Sequence, residues 1–214
     1  MMTEKKNNNE LQIAPIYATP ILSVTLDLDV EKLTDFSLQK HNKDKKGEQA
    51  SNRGGWHSVN INKETHEEFI KLKKEITHYL QIYHTEVFRG MKFKVDVMQV
   101  LDNIWVNINE KHHYNDWHIH PHCTLSGAYY IKHDGSIENG VISFRHPNRY
   151  MANVHWPGKL IERNNEVTSE TLDFIPESNK LLIFPSWLEH KVEVNLKHDS
   201  RISVSFNSST LEKK

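Results

Sequence analysis

The chain is poor in what builds cross-links and cages. Its single cysteine, Cys123, excludes an internal disulfide, and with it the zinc-finger and iron–sulfur arrangements that need several thiolates. One lone thiol also suits a reducing compartment. Apolar runs reach only strand length, far short of the roughly 20 residues that span a bilayer. The opening MMTEKKNNNE has neither the apolar core nor the small-residue cleavage site of a secretion signal, so the expectation is a cytoplasmic protein without a membrane segment. Charge of one sign is missing too. Lys+Arg at 27 against Asp+Glu at 28 leaves a net charge of -1, and no overall field draws the chain to nucleic acid.

What is abundant is histidine, at 15 residues. His112, His113, His118, His120, His122 and His133 crowd one short stretch rather than a terminus, so they are no tag. With thiolates excluded, nitrogen and oxygen must hold any metal. At 214 residues, with 37% hydrophobic and 26% charged, the composition is that of one soluble globular domain.

Residues 1–12 read as a flexible tail and 13–210 as a single domain. A half-buried strand is expected between Ile13 and Leu28, then a short helix over 31–40 carrying Leu33 and Phe36. A solvated loop, HNKDKKGEQASNRGG, follows. Phe69, Leu72, Ile76, Tyr79, Leu80 and Tyr83 recur at helical spacing within 63–88, and Asn62 is a plausible N-cap. Beyond Met91 the period drops to two. KFKVDVMQV, NIWVNIN, LSGAYYIK, GVISFRH, NKLLIFP, KVEVNL and RISVSFN all read as strands. The fold class is therefore mainly β with N-terminal helices: a strand and helical layer over 13–90, packed on an antiparallel sandwich or barrel over 91–208.

Within YNDWHIHPHC, residues two apart share one face of a strand, so His118 and His120 present both imidazoles to one side. Pro121 ends regular pairing there. His190, in LLIFPSWLEHKVEV, opens another strand and is the third candidate ligand. Imidazole suits Fe, Cu, Zn and Ni alike, so these residues do not choose the metal. Chance histidines in a histidine-rich chain are the plain alternative for the H-x-H pair. In RISVSFN, Arg201, Ser203 and Ser205 share a face. A guanidinium pointing inward is expensive to bury without an anion, and its fork matches a carboxylate. A dicarboxylate between metal and Arg201 would satisfy both; a structural salt bridge is the alternative. Trp105, Trp117, Trp156 and Trp187 read as packing. Loops over 40–57 and 133–171, with Trp56, Arg145 and Arg149, could cover the site.

The stretches SNRGGWHS, WHIHPHCTLSGAYYI, ISFRHP, LLIFPSWLEHKVEVN and RISVSFN together resemble the 2-oxoglutarate/Fe(II)-dependent oxygenase superfamily, and within it a small bacterial and phage group. The resemblance implies a double-stranded β-helix (jelly-roll, cupin-like) and an enzyme, a dioxygenase, using Fe(II), 2-oxoglutarate and O2. It implies iron on His118, His190 and the position of His120, where the superfamily's usual H-x-D/E…H pattern has a carboxylate. Asp116, in phase with His118, is the less favoured source of one. It further implies that Arg201, Ser203 and Tyr130 hold the cosubstrate's 5-carboxylate. A substrate is then oxidised, by hydroxylation in the leading reading, with release of succinate and CO2. The substrate is a small molecule or peptide of unknown identity, and a homodimer is a candidate assembly. The alternatives are a three-histidine, cupin-like dioxygenase without 2-oxoglutarate, and a non-catalytic metal- or anion-binding barrel.

Overall fold

A computed structural model describes residues 17–150, 157, 161–162 and 164–213. The tail expected over 1–12, the first residues of the expected strand, and Trp156 lie outside these. Two helices occupy the N-terminal half. In α1 (Val30–Lys43), Asp29 caps the first turn by accepting from the Lys32 amide at 3.1 Å, and Leu33 and Phe36 are buried. Helix α2 (Glu67–Val87) buries Phe69, Leu72, Ile76, Leu80 and Tyr83, the expected stripe. It starts later than expected, and Asn62 is not its cap. The Asn62 amide instead donates to the carbonyls of Leu101 and Asp102, which ties the approach to α2 onto a strand.

That strand is β4 (Val97–Asn109). It merges the expected KFKVDVMQV and NIWVNIN strands, because Asp102, read as a break, is absorbed as a bulge in the pairing with β11 (Arg201–Glu212). Residues 92–96 stay outside it. The other strands are β1 (Leu22–Thr25), β2 (Asn52–Arg53), β3 (Trp56–His57), β5 (Tyr114–His118), β6 (Leu125–Lys132), β7 (Ile142–Arg145), β8 (Thr171–Phe174), β9 (Lys180–Pro185) and β10 (His190–Val192). The segment before residue 90 supplies β1, within the expected strand, and also contributes β2 and β3.

All pairings between these strands are antiparallel, in a six-stranded sheet, β1-β9-β6-β11-β4-β3, and a five-stranded one, β2-β5-β10-β7-β8. Strict alternation gives the larger sheet two different faces. Ile104, Val106, Ile108, Tyr129, Ile131, Leu181, Ile183, Ile202, Val204 and Phe206 pack with the helices in the main core. The intervening residues face the other way, among them Trp105, Asn107, Ala128, Tyr130, Phe184, Arg201, Ser203 and Ser205. They line a cavity of about 520 Å³ whose remaining wall comes largely from the smaller sheet. The link between β2 and β3 crosses from one sheet to the other. Gly54 takes a positive φ of +79° there, against the His113 ring, where a Cβ would clash.

Candidate functional site

The last residue of β5, His118, lies directly opposite the first residue of β10, His190, in the antiparallel ladder. Distance along the chain is cancelled by register. His120 sits two residues beyond the end of β5, held by its amide donating to the Ser186 carbonyl at 2.9 Å. Its Nε2 lies 3.3 Å from His190 Nε2, and one ring nitrogen from each of the three histidines falls within 4.8 Å of the others.

The outer contacts of His118 and His190 fix their tautomers. His118 Nδ1 is 2.7 Å from the Asp116 carbonyl and His190 Nδ1 is 2.8 Å from that of Leu188. A carbonyl only accepts, so both Nδ1 atoms carry hydrogen and both Nε2 atoms keep lone pairs. Burial lowers all three imidazoles, His120 to about 3 and His190 well below its ordinary value. At neutral pH the cluster is uncharged. In the uncharged cluster His120 Nε2 can donate to the His190 Nε2 lone pair; three neutral imidazole nitrogens gathered this closely also form a donor set that fits a first-row metal.

Asp116 stands apart. Its carboxylate pairs with Arg53 at 3.3 Å and accepts from the Trp117 amide. Among the described residues, no carboxylate joins the three imidazoles.

A second group lies across the same cavity. Ser203 of β11 is in register with Tyr130 on β6 and with Asn107 on β4, so the three side chains form a row. Arg201, next along this face, is only 1% exposed. Its Nη1 donates to the Gly140 carbonyl at 3.0 Å, and its Nε has no partner. Among the described residues no carboxylate neutralises it, so the salt-bridge alternative fails there. Burial pulls its guanidinium down to about 10 and pushes the Tyr130 hydroxyl up, so Tyr130 keeps its proton. Gly140, with φ +84°, is required: a Cβ would run into Arg201 Nη1 and the Glu193 carbonyl. The result is a buried cation for which the described residues supply no counter-charge.

Sequence reasoning missed Asn107, His57 and Ser51 on the cavity wall; Ser51 Oγ lies 3.4 Å from His118 Nε2. The alternation of NIWVNIN could have found Asn107, since it places Trp105 and Asn107 on one face. Trp105 lines the cavity rather than the core, and Trp117 does so with Arg145 4.0 Å above its ring. Trp56 is buried in the main core, its Nε1 donating to the Asp44 carbonyl, and Trp187 is half exposed. Arg145 and Arg149 converge on Glu189 instead of the cavity.

Residues 103–207 match the family described as "Putative 2OG-Fe(II) oxygenase". This region is a 2OG-Fe(II) oxygenase domain. The domain contains every candidate residue named above: His118, His120, Tyr130, His190, Arg201 and Ser203. It marks the protein as an enzyme that uses Fe(II), 2-oxoglutarate and O2. Its fold is shared with a Pseudomonas putida prolyl-4-hydroxylase (11% identity, 91% of this chain and 93% of that one, TM-score 0.59). It is also shared with the viral collagen prolyl hydroxylase of Paramecium bursaria Chlorella virus-1, solved with 2-oxoglutarate (10%, 88% and 96%, 0.57). A third is HygX of Streptomyces hygroscopicus with nickel and 2-oxoglutarate bound (10%, 89% and 83%, 0.56). No curated protein matches in sequence. Among the described residues, no helix is long and apolar enough to cross a membrane.

Proposed function

We propose that the oxygenase domain hydroxylates a small organic or peptide substrate in the cytoplasm, coupled to conversion of 2-oxoglutarate to succinate and CO2. The two sheets are read as the halves of a double-stranded β-helix. The observation that carries this reading is a buried, anion-hungry Arg201 facing the same cavity as three converging neutral imidazoles.

In this reading His118 Nε2, His190 Nε2 and a ring nitrogen of His120 hold the metal. Arg201, Ser203 and Tyr130 receive the distal carboxylate of 2-oxoglutarate. Iron, O2 and 2-oxoglutarate supply the oxidising chemistry. The protein supplies position and field. The guanidinium offers parallel donors to a carboxylate, and the protonated Tyr130 and Ser203 hydroxyls add one each. Phe144 and Phe184 pack against the His190 ring, at 5.9 and 4.8 Å between centroids, and keep water from that side of the cluster. Three uncharged ligands leave the metal's full charge to be met by the cosubstrate, which strengthens the demand for a dianion. The solved relatives that hold 2-oxoglutarate, one of them with nickel, support this assignment.

Anaerobic titration of Fe(II), with and without 2-oxoglutarate, tests it. A visible chelate absorption that requires both components is expected. Its absence from protein that has bound iron would end the proposal.

A further inference from the structure

Beyond the metal and the anion cradle, the same cavity has a third wall of opposite chemical character. Its centre is the SNRGGWHS stretch, which the oxygenase reading leaves without a task. β3 pairs with β4 so that His57 stands directly opposite Asn107. The His57 ring stacks on Trp105, with centroids 5.2 Å apart and planes at 16°, and both line the cavity. His57 Nδ1 lies 2.7 Å from the Ser58 carbonyl. A carbonyl only accepts, so Nδ1 carries the hydrogen and Nε2 of the neutral ring presents a lone pair. Burial keeps that ring neutral. Among the described residues Nε2 has no hydrogen-bond partner.

Asn107 is 7% exposed, and its amide nitrogen is spent on Ser205 Oγ at 2.9 Å. Its carbonyl oxygen is buried without a partner. Such an orphan is destabilising unless a ligand meets it. Outward from His57 comes Glu48, whose amide donates to the His57 carbonyl at 2.8 Å and whose carbonyl accepts from Asn52. Glu48 lines the cavity, its charge is close enough to act on the His57 ring, and among the described residues its carboxylate pairs with no cation. Arg53, the nearest cation in sequence on this wall, is engaged by Asp116. One row across the sheet therefore changes sign. Tyr130 and Ser203 offer hydrogens beside the Arg201 cation. Asn107, His57 and Glu48 offer lone pairs and a negative charge.

The geometry points to Glu48, His57 and Asn107 as the recognition site for the oxidised substrate, and to a primary amine as the group they recognise. An ammonium has donors only, which suits three acceptors. A polyol would draw nothing from the Glu48 charge, and a carboxylic acid would be repelled by it. The inference rests on the 2-oxoglutarate reading, since the anion cradle must be taken by the cosubstrate for the substrate to lie here.

The test uses protein loaded with Fe(II) and 2-oxoglutarate and kept anaerobic, with calorimetry as the readout. The probes are putrescine, ethanolamine, L-lysinamide and glucosamine, each against its N-acetylated form, with sorbitol as the uncharged polyol. At least one amine should bind, about tenfold or more tighter than its acetylated form. Both Glu48→Gln and His57→Phe should erode that ratio severalfold. The first lies at an exposed position where folding is not at risk; the second keeps the stacking on Trp105 and removes Nε2. Equal binding of acetylated probes or sorbitol, an unchanged ratio in both variants, or no amine binding to protein that binds 2-oxoglutarate would each overturn the inference. Failure of the parent protein to bind 2-oxoglutarate would instead overturn the function proposed above.

Discussion

The two sheets that face each other across the cavity are built to different standards. The larger has β4 and β11 of 13 and 12 residues, in register along almost their whole length and backed by both helices and the main core. The smaller has strands of two to five residues and slips register between His190 and Val192. The rigid sheet carries the anion cradle, Arg201, Ser203 and Tyr130. The slighter one carries His118 and His190. Burying an unpaired guanidinium needs a scaffold that cannot relax around it, whereas a metal can pull its own ligands into place. The burden of pre-organisation falls on the element that can bear it.

That contrast is broken most severely by His190→Ala. It removes the proposed ligand at the start of β10, and metal affinity should fall by more than about a hundredfold, measured by anaerobic Fe(II) titration. If affinity holds, His190 is not a ligand. Next comes Arg201→Met. Loss of the cradle's charge should weaken 2-oxoglutarate by about a hundredfold and leave metal affinity unchanged, which calorimetry separates. The unliganded variant should melt no lower than the parent, because it loses a buried charge with an orphaned Nε. A collapse in melting temperature would mean that the guanidinium is structural.

The smallest effect is on pH. Burial holds His57, His118, His120, His133 and His190 below the ordinary imidazole value. Below about pH 6.5 the unfolded chain takes up protons that the native one refuses, so stability present above that pH is lost on acidification. Between pH 6.5 and 5 the metal-free protein should lose at least about 1.4 kcal/mol per pH unit, the slope of one such imidazole. Chemical denaturation at stepped pH measures it; a flat profile would show that these rings are protonated in the native state.

Much of this site was legible in the sequence, for a physical reason. Period-two alternation fixes which residues share a face, so Arg201 with Ser203, and His118 as a strand-end residue, could be read directly. The opposition of His118 and His190 could not, because register between distant strands depends on the whole ladder. Two-residue strands such as β2 and β3 are too short for any pattern, which hid the position of His57. Asp102 looked like a break and became a bulge. Asn62 looked like a cap, but two strand carbonyls claimed its amide.

The cross-strand partnership of His118 and His190 also bears on the order of assembly. Two proposed ligands so far apart in the chain meet only after a long loop has closed and β7 has docked beside β10, and such non-local closure is slow. Metal therefore cannot nucleate this fold as it does a zinc finger. Iron should load as a finishing step, onto a chain whose helices and long strands are already in place.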